Sequence, residues 1–411
     1  MYDQIVIGAG IIGLSAAFRL AEAGQKVLIL DRKGMAEEAS RGNAGAFAFA
    51  DVEPLASPGI LWKAPGWLFD PLGPLSIRLS YAPRLAPWLL RFWRASLPDR
   101  QEPGTRAQAA LMELSKRETE SLFAAAGLSR HLRHDGAIYL FDGARAARAA
   151  QPVWDLRARH GVAFEPVSGQ RLAELQPGLN PRFSHGVFVP EWMTLSDPYQ
   201  VTTALGAAAV ALGAVFEPGE VARVVPSEGK THVMLTDGRR IAARQVIVAC
   251  GAWSHHLAAG LGDRIPLETE RGYNTTLPPG AFDLRRQLVI PGDGYVITPL
   301  ATGIRIGGAV EMAGLRRAPD YRRAAIMLKK AEGVLSGLKT AGGSQWMGFR
   351  PSLPDSLPVI GRSPRAPGVL YAFGHGHLGL TQAAATARLI ADLALDRAPA
   401  ISLVPYRSER F

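Results

Sequence analysis

Gly8, Gly10 and Gly13, with Asp31 behind them, have the types and spacing to hold a dinucleotide. They sit where the apolar run Ile5-Val-Ile7 turns and enters Leu14-Ser-Ala-Ala-Phe-Arg-Leu20. A second apolar run, Val27-Leu-Ile-Leu30, ends in the acid. Gly8 permits a tight turn, Gly10 lets the backbone approach a pyrophosphate, and Gly13 lets the helix pack close to the strand. The helix start offers free N–H groups and a positive dipole end to phosphates. Asp31 can accept hydrogen bonds from ribose hydroxyls, and an acid here argues against the 2′-phosphate of NADP. The glycines alone do not separate FAD from NAD. Further on, Ala39-Ser-Arg-Gly-Asn-Ala-Gly45 is small and rich in backbone donors, which suits close approach of a large cofactor.

These residues need elements to position them. Residues 1–31 read as a strand–helix–strand unit. Residues 52–100 hold many prolines and tryptophans and give no regular reading, and 105–127 have helical spacing. Gly136–Phe141 and Gly186–Pro190 read as strands. Asp197 is an N-cap with Pro198 at the first helical position, opening a helix to about Leu212. Thr236-Asp-Gly-Arg239 is a hairpin signal between Thr231–Leu235 and Arg240-Ile241. Gln245–Ser254 repeats the opening idea: an apolar strand meets glycine and starts a helix. Residues 264–312 look antiparallel, 319–338 helical, and the chain closes with strand Val369–Phe373, a glycine loop and a helix to about Ala394. The expected architecture is α/β: a discontinuous Rossmann-like unit (1–55, 196–258 and 345–411) with an inserted α+β antiparallel-sheet unit (56–195 and 259–344).

At 411 residues the chain can bury two substantial cores, and 47% hydrophobic with 20% charged residues is a globular composition. The single cysteine, Cys250, excludes an internal disulfide and a cysteine-based metal centre, and no metal site is expected. No charged leader with an apolar h-region opens the chain, and no apolar run is long enough to span a bilayer. These features predict a cytoplasmic protein. The net charge of +10 comes from scattered arginines without a nucleic-acid motif. Arg84-Leu-Ala-Pro-Trp-Leu-Leu-Arg-Phe-Trp-Arg94 mixes tryptophan with arginine, making it a candidate for peripheral contact with the inner face of the membrane.

Seven pieces in order carry a family likeness: Gly8-Ala-Gly-Ile-Ile-Gly13; Ser40-Arg-Gly-Asn-Ala-Gly45; Val246-Ile-Val-Ala-Cys-Gly-Ala-Trp-Ser254; Arg271-Gly-Tyr273; Gly348-Phe-Arg-Pro351; Pro358-Val-Ile-Gly361; and Gly374-His-Gly-His-Leu-Gly-Leu-Thr381. Over nearly the whole length the chain resembles the D-amino acid oxidase superfamily of flavoproteins, most of all the bacterial D-amino acid dehydrogenases and glycine oxidases. The resemblance implies FAD. It assigns Gly8, Gly10, Ile11, Ile12, Gly13, Asp31 and Arg32 to the nucleotide end, with Ala222, Cys250, Gly251 and Trp253. Ser40, Asn43, Ala44 and Gly45 would line the pyrophosphate and ring. Gly374, His375, Gly376, Leu378, Gly379, Leu380 and Thr381 would wrap the pyrimidine end. A helix N-terminus behind backbone N–H groups suits the negative charge of a reduced flavin. No cysteine or histidine has an attachment context, so the FAD is expected to be non-covalent.

By the same likeness Arg350 clamps the substrate carboxylate, a task for a planar guanidinium. Tyr273 matches the tyrosine of a Lys-Gly-Tyr pattern, with Arg271 in place of the lysine, and Tyr295 is a weaker alternative. His377 stands where the dehydrogenases often have threonine. The implied reaction is oxidative deamination of a D-amino acid. Hydride passes from Cα to flavin N5, giving a 2-oxo acid and ammonia after hydrolysis. No side-chain base is required if Arg350 and desolvation lower the amine pKa. Electrons then pass to a respiratory quinone or to O2. The alternatives are a secondary or cyclic substrate (cis-4-hydroxy-D-proline, D-proline, sarcosine or glycine) and a flavin-binding subunit of a hetero-oligomeric dehydrogenase. An NAD-dependent enzyme is disfavoured, because the C-terminal glycine loop would have no partner.

Overall fold

The computed structural model describes residues 1–57 and 75–411. Part of the Pro- and Trp-rich stretch read from the sequence lies outside these residues. The apolar strands Tyr2–Ile7, Val27–Asp31 and Arg240–Val248 pair in parallel, with Val215–Pro218 on one side and Val369–Phe373 on the other. Such continuous Val/Ile/Leu runs require cover on both faces. Helices Ile11–Glu22, Pro198–Ala211 and Gly379–Ala394 cover one face through Leu14, Leu205 and Leu389, among others, and Leu257 of helix Ser254–Gly260 packs on the other. Strand Arg240–Val248 forks. Its first half pairs antiparallel with Lys230–Leu235, across the hairpin read from the sequence, and its second half pairs with Val369–Phe373. Asp197 caps its helix by accepting from the Gln200 amide at 2.8 Å.

A second, mixed sheet is built mainly from antiparallel pairs. It runs Ser344–Ser352, Glu268–Leu277, Gly303–Met312, Tyr295–Leu300, Gln287–Ile290, Ala137–Phe141, His185–Val189 and Glu165–Ser168. Its own core closes under helix Arg322–Glu332 through Ala324, Met327 and Ala331.

Two segments sit differently from the sequence reading. Strand Ser344–Ser352, expected in the nucleotide unit, pairs along Glu268–Thr276 in the second sheet. Trp346, Met347 and Phe349 put apolar groups on both of its faces, so alternation gave no hint of which sheet it joins. Helix Pro98–Ala125, expected in the inserted unit, buries Leu111, Leu114, Leu122 and Phe123 in the core beneath the first sheet. An amphipathic helix is legible locally, but its docking surface is a tertiary choice. The short strands Ala46–Phe47, Met193–Leu195 and Leu132–Arg133 form a small sheet that ties the two parts together.

Candidate active site

A cavity of about 740 Å³ runs between the two sheets, from Asp31 and Glu38 past residues 10–12 and 40–46 to Arg350 and His377. At one end the glycine turn is obligatory. Gly8 has φ +108°, and a Cβ there would strike the Ala249 carbonyl, while one on Gly13 would strike the Gly8 carbonyl. Ser40 Oγ accepts from the Ile11 amide at 2.9 Å. The next amides, Ile12 and Gly13, have no acceptor among the described residues, so a helix N-terminus opens onto the cavity. Asp31 holds the turn itself: Oδ2 accepts from the Ala9 amide at 2.8 Å, and Oδ1 from Lys33 and Gly34. A carboxylate offers about four lone-pair sites, which leaves capacity for a ribose hydroxyl. Arg32 lies 4.0 Å over the Trp253 ring and pairs with Glu38. Ala222, Cys250 and Gly251 line the same end, and burial pushes the Cys250 thiol up to about 12, so it stays protonated.

The cofactor loop is fixed from both sides. Asn43 accepts from the Gly45 amide, and Ala44 borders the cavity. Asn274 donates to the Gly42 carbonyl at 2.7 Å and Arg305 to the Asn43 carbonyl at 2.6 Å, both from the second sheet. At the far end, Gly374 and Gly376 take φ +88° and +54° ahead of helix Gly379–Ala394. The amides of Gly379 and Leu380 have no acceptor among the described residues, and both residues line the cavity with Leu378. His375 borders the cavity with its ring held by the protein. Its Nε2 meets Thr386 Oγ1 at 2.9 Å, and burial pulls its pKa to about 3. Thr381 Oγ1 accepts from the Ala48 amide at 3.0 Å.

Alternation along paired strands builds the wall facing this loop. Asn274 opposes Trp346, Gly272 opposes Gly348, and Glu270 opposes Arg350, all on the cavity face. The Arg350 guanidinium lies over Gly272, where a Cβ would collide with it. Its Nη1 donates to the Ala309 carbonyl at 2.9 Å and its Nη2 to the Gly308 carbonyl at 3.3 Å. Burial lowers its pKa and the Glu270 charge opposes that shift. No carboxylate pairs with it among the described residues. His377 projects into the cavity. Its surroundings disfavour the charged ring, partly offset by Asp51 and Glu270.

Tyr273 borders the cavity, but its ring packs into the core of the second sheet. Its side chain belongs to the opposite face and is 1% exposed. The hydroxyl donates to Glu311 at 2.6 Å and accepts from the Asp320 amide at 3.1 Å. Desolvation and the Glu311 contact raise its pKa to about 12. Arg271 is buried in the same network, pairing with Glu311 at 3.1 Å. The Tyr273 hydroxyl is thus committed to the core, while Thr269, Arg271 and Thr275 do not line the cavity. Tyr295 joins the same second-sheet core. The sequence reading missed Glu270, Asp51, Asn274 and Arg305. The even-numbered polar residues of Glu268–Thr276 were the available signal, but their facing required knowing a partner strand about eighty positions away.

Residues 3–393 match the family described as FAD dependent oxidoreductase. The chain belongs to this family. It is 35% identical to a D-amino-acid oxidase of Bradyrhizobium diazoefficiens, over 99% of this chain and 98% of the relative. It is 32% identical to a D-amino acid dehydrogenase of Rhizobium johnstonii, over 95% of each. The fold matches glycine oxidase from Geobacillus kaustophilus with TM-score 0.77 at 22% identity, over 100% and 99% of the two chains. The architecture expected from sequence, α/β with a Rossmann-like FAD-binding unit, is the one found, and the protein is an FAD-dependent enzyme. The residues present fit that cofactor: two helix starts with free amides and a doubly clamped loop border one long cavity.

Proposed function

We propose that the protein oxidises a D-amino acid to the imino acid, which water converts to a 2-oxo acid and ammonia. The observation that carries this is Arg350: a guanidinium on the cavity wall, held by two backbone carbonyls, with no carboxylate partner among the described residues. Two of its N–H groups fix the fork and the remaining donors are left for a substrate carboxylate. The relatives' names supply the D-amino acid. Bound FAD supplies the hydride acceptor. The chain's own residues orient the Cα–H toward it. Arg350→Ala, assayed with D-alanine and an artificial electron acceptor, tests the assignment. Bleaching of the flavin by D-proline or sarcosine but not by D-alanine would favour a secondary-amine substrate instead.

We also propose a membrane-bound quinone as acceptor, with helix Ala82–Ala95 as the contact. Leu85 and Trp88 anchor it to the protein, leaving Leu90 64% and Trp93 41% exposed beside Arg84 and Arg91. Apolar and cationic groups on one helix face suit an anionic lipid surface. No helix among the described residues is long and apolar enough to cross a membrane. Sedimentation with anionic but not neutral vesicles is expected; no binding to either refutes the contact.

A further inference from the structure

Glu270 is buried to 6% exposure on the cavity wall, yet its only hydrogen-bond partner among the described residues is the Ser352 hydroxyl, at 2.6 Å. A buried carboxylate with one neutral donor is costly unless a further partner arrives. The obvious candidate, Arg350, stands directly opposite in the strand register. The two nevertheless form no ion pair: the guanidinium turns to the Gly308 and Ala309 carbonyls and the carboxylate to Ser352. A positive and a negative group are therefore held apart on one wall of the substrate cavity. That is the complement of a zwitterion.

We infer that Glu270 receives the substrate's α-ammonium group and takes its proton. The inference rests on Arg350 holding the carboxylate. In this step an amine N–H bond breaks and an O–H bond forms on Glu270. The electron pair stays on nitrogen and nothing is oxidised. That freed pair is what the carbon–nitrogen double bond needs when the Cα–H bond breaks. Ser352 orients the carboxylate. The titratable groups that interact with it are Arg350 on the neighbouring strand and His377 on the C-terminal loop, and His377 in turn interacts with Asp51. Asp51 already accepts from Tyr139 and Arg157. Glu268, on the same strand, is engaged by the Tyr81 hydroxyl, and Glu311 of the next strand faces the opposite core. Glu270 is thus the acid of this cluster left for the amine.

The test uses the yellow holoenzyme and two ligands that cannot be oxidised. 2-Methylalanine is a zwitterion without a Cα hydrogen; isobutyrate has the same skeleton without the amine. Wild type should bind the zwitterion about tenfold to a hundredfold more tightly, as for a charge-assisted hydrogen bond. Glu270→Gln should lose that preference while keeping its affinity for isobutyrate. Its turnover of D-alanine should fall at neutral pH and recover as the pH rises and solvent deprotonates the amine. Wild type without the preference overturns the inference with no variant needed. A Glu270→Gln protein that keeps the preference, or weakens only for ligands with a side-chain cation such as D-lysine, also overturns it. If isobutyrate binds and the zwitterion does not, Glu270 alone fails. If neither binds, the Arg350 reading fails and this inference with it.

Discussion

Arg350→Lys separates charge from geometry. The guanidinium of Arg350 uses two N–H groups on the Gly308 and Ala309 carbonyls and presents the rest to the cavity. Lysine keeps a positive charge but is a flexible point donor, so it cannot hold the carbonyls and a bidentate carboxylate together. Losing one charge-assisted bond of about 1.5–3 kcal/mol corresponds to about tenfold to a hundredfold in kcat/KM. Alanine removes both bonds and leaves Glu270 unopposed, so the loss should reach about two to four decades. FAD content should stay at wild-type level in both, because no residue of the glycine turn or cofactor loop bonds to Arg350 among the described residues. The assay is steady-state kcat/KM for D-alanine beside the flavin-to-protein absorbance ratio. A lysine variant as impaired as alanine would refute the argument from fork geometry. An alanine variant with full FAD and near-normal turnover would refute the carboxylate clamp.

Gly8→Ala should yield colourless protein, since φ +108° and the Ala249 carbonyl leave no place for a Cβ; the flavin-to-protein ratio reads this directly. Tyr273→Phe should cost about 1–3 kcal/mol in thermal or denaturant unfolding, because Glu311 loses a buried donor, yet kcat/KM should stay within about threefold. A collapse of turnover without loss of stability would place Tyr273 in the site. His375 is held neutral to about pH 3, against an ordinary value of 6.5. Between those values the unfolded chain binds a proton that the folded chain does not, so stability falls as pH drops from about 6.5 toward 3. A His375→Gln variant should show a shallower loss in unfolding free energy from pH 7 to 4, and an unchanged slope would sink the assignment.

Local signals found local structure. The turn at Gly8–Gly13, the Asp197 cap and the hairpin at Asp237-Gly238 were readable because each is decided within a few residues. The family motifs pointed to Arg350 and the C-terminal loop, and both border the cavity. What escaped was set by register between distant segments. Tyr273 and Glu270 lie three positions apart on one strand and face opposite ways, and only the pairing with Ser344–Ser352 shows which face meets the cavity. Asn274 and Arg305 gave no motif, because their partners are the backbone carbonyls of Gly42 and Asn43, some 230 and 260 residues earlier. Asp31 was read as a ribose ligand, and its hold on the Ala9, Lys33 and Gly34 amides became visible only in three dimensions.

The most direct measurement is anaerobic titration of the purified yellow protein with D- and L-alanine, following the visible flavin absorption. Stoichiometric bleaching by the D-enantiomer, with the L-enantiomer inert and pyruvate and ammonia released, is the predicted result. A flavin left oxidised by a full panel of D-amino acids, in protein that binds FAD normally, would contradict the account.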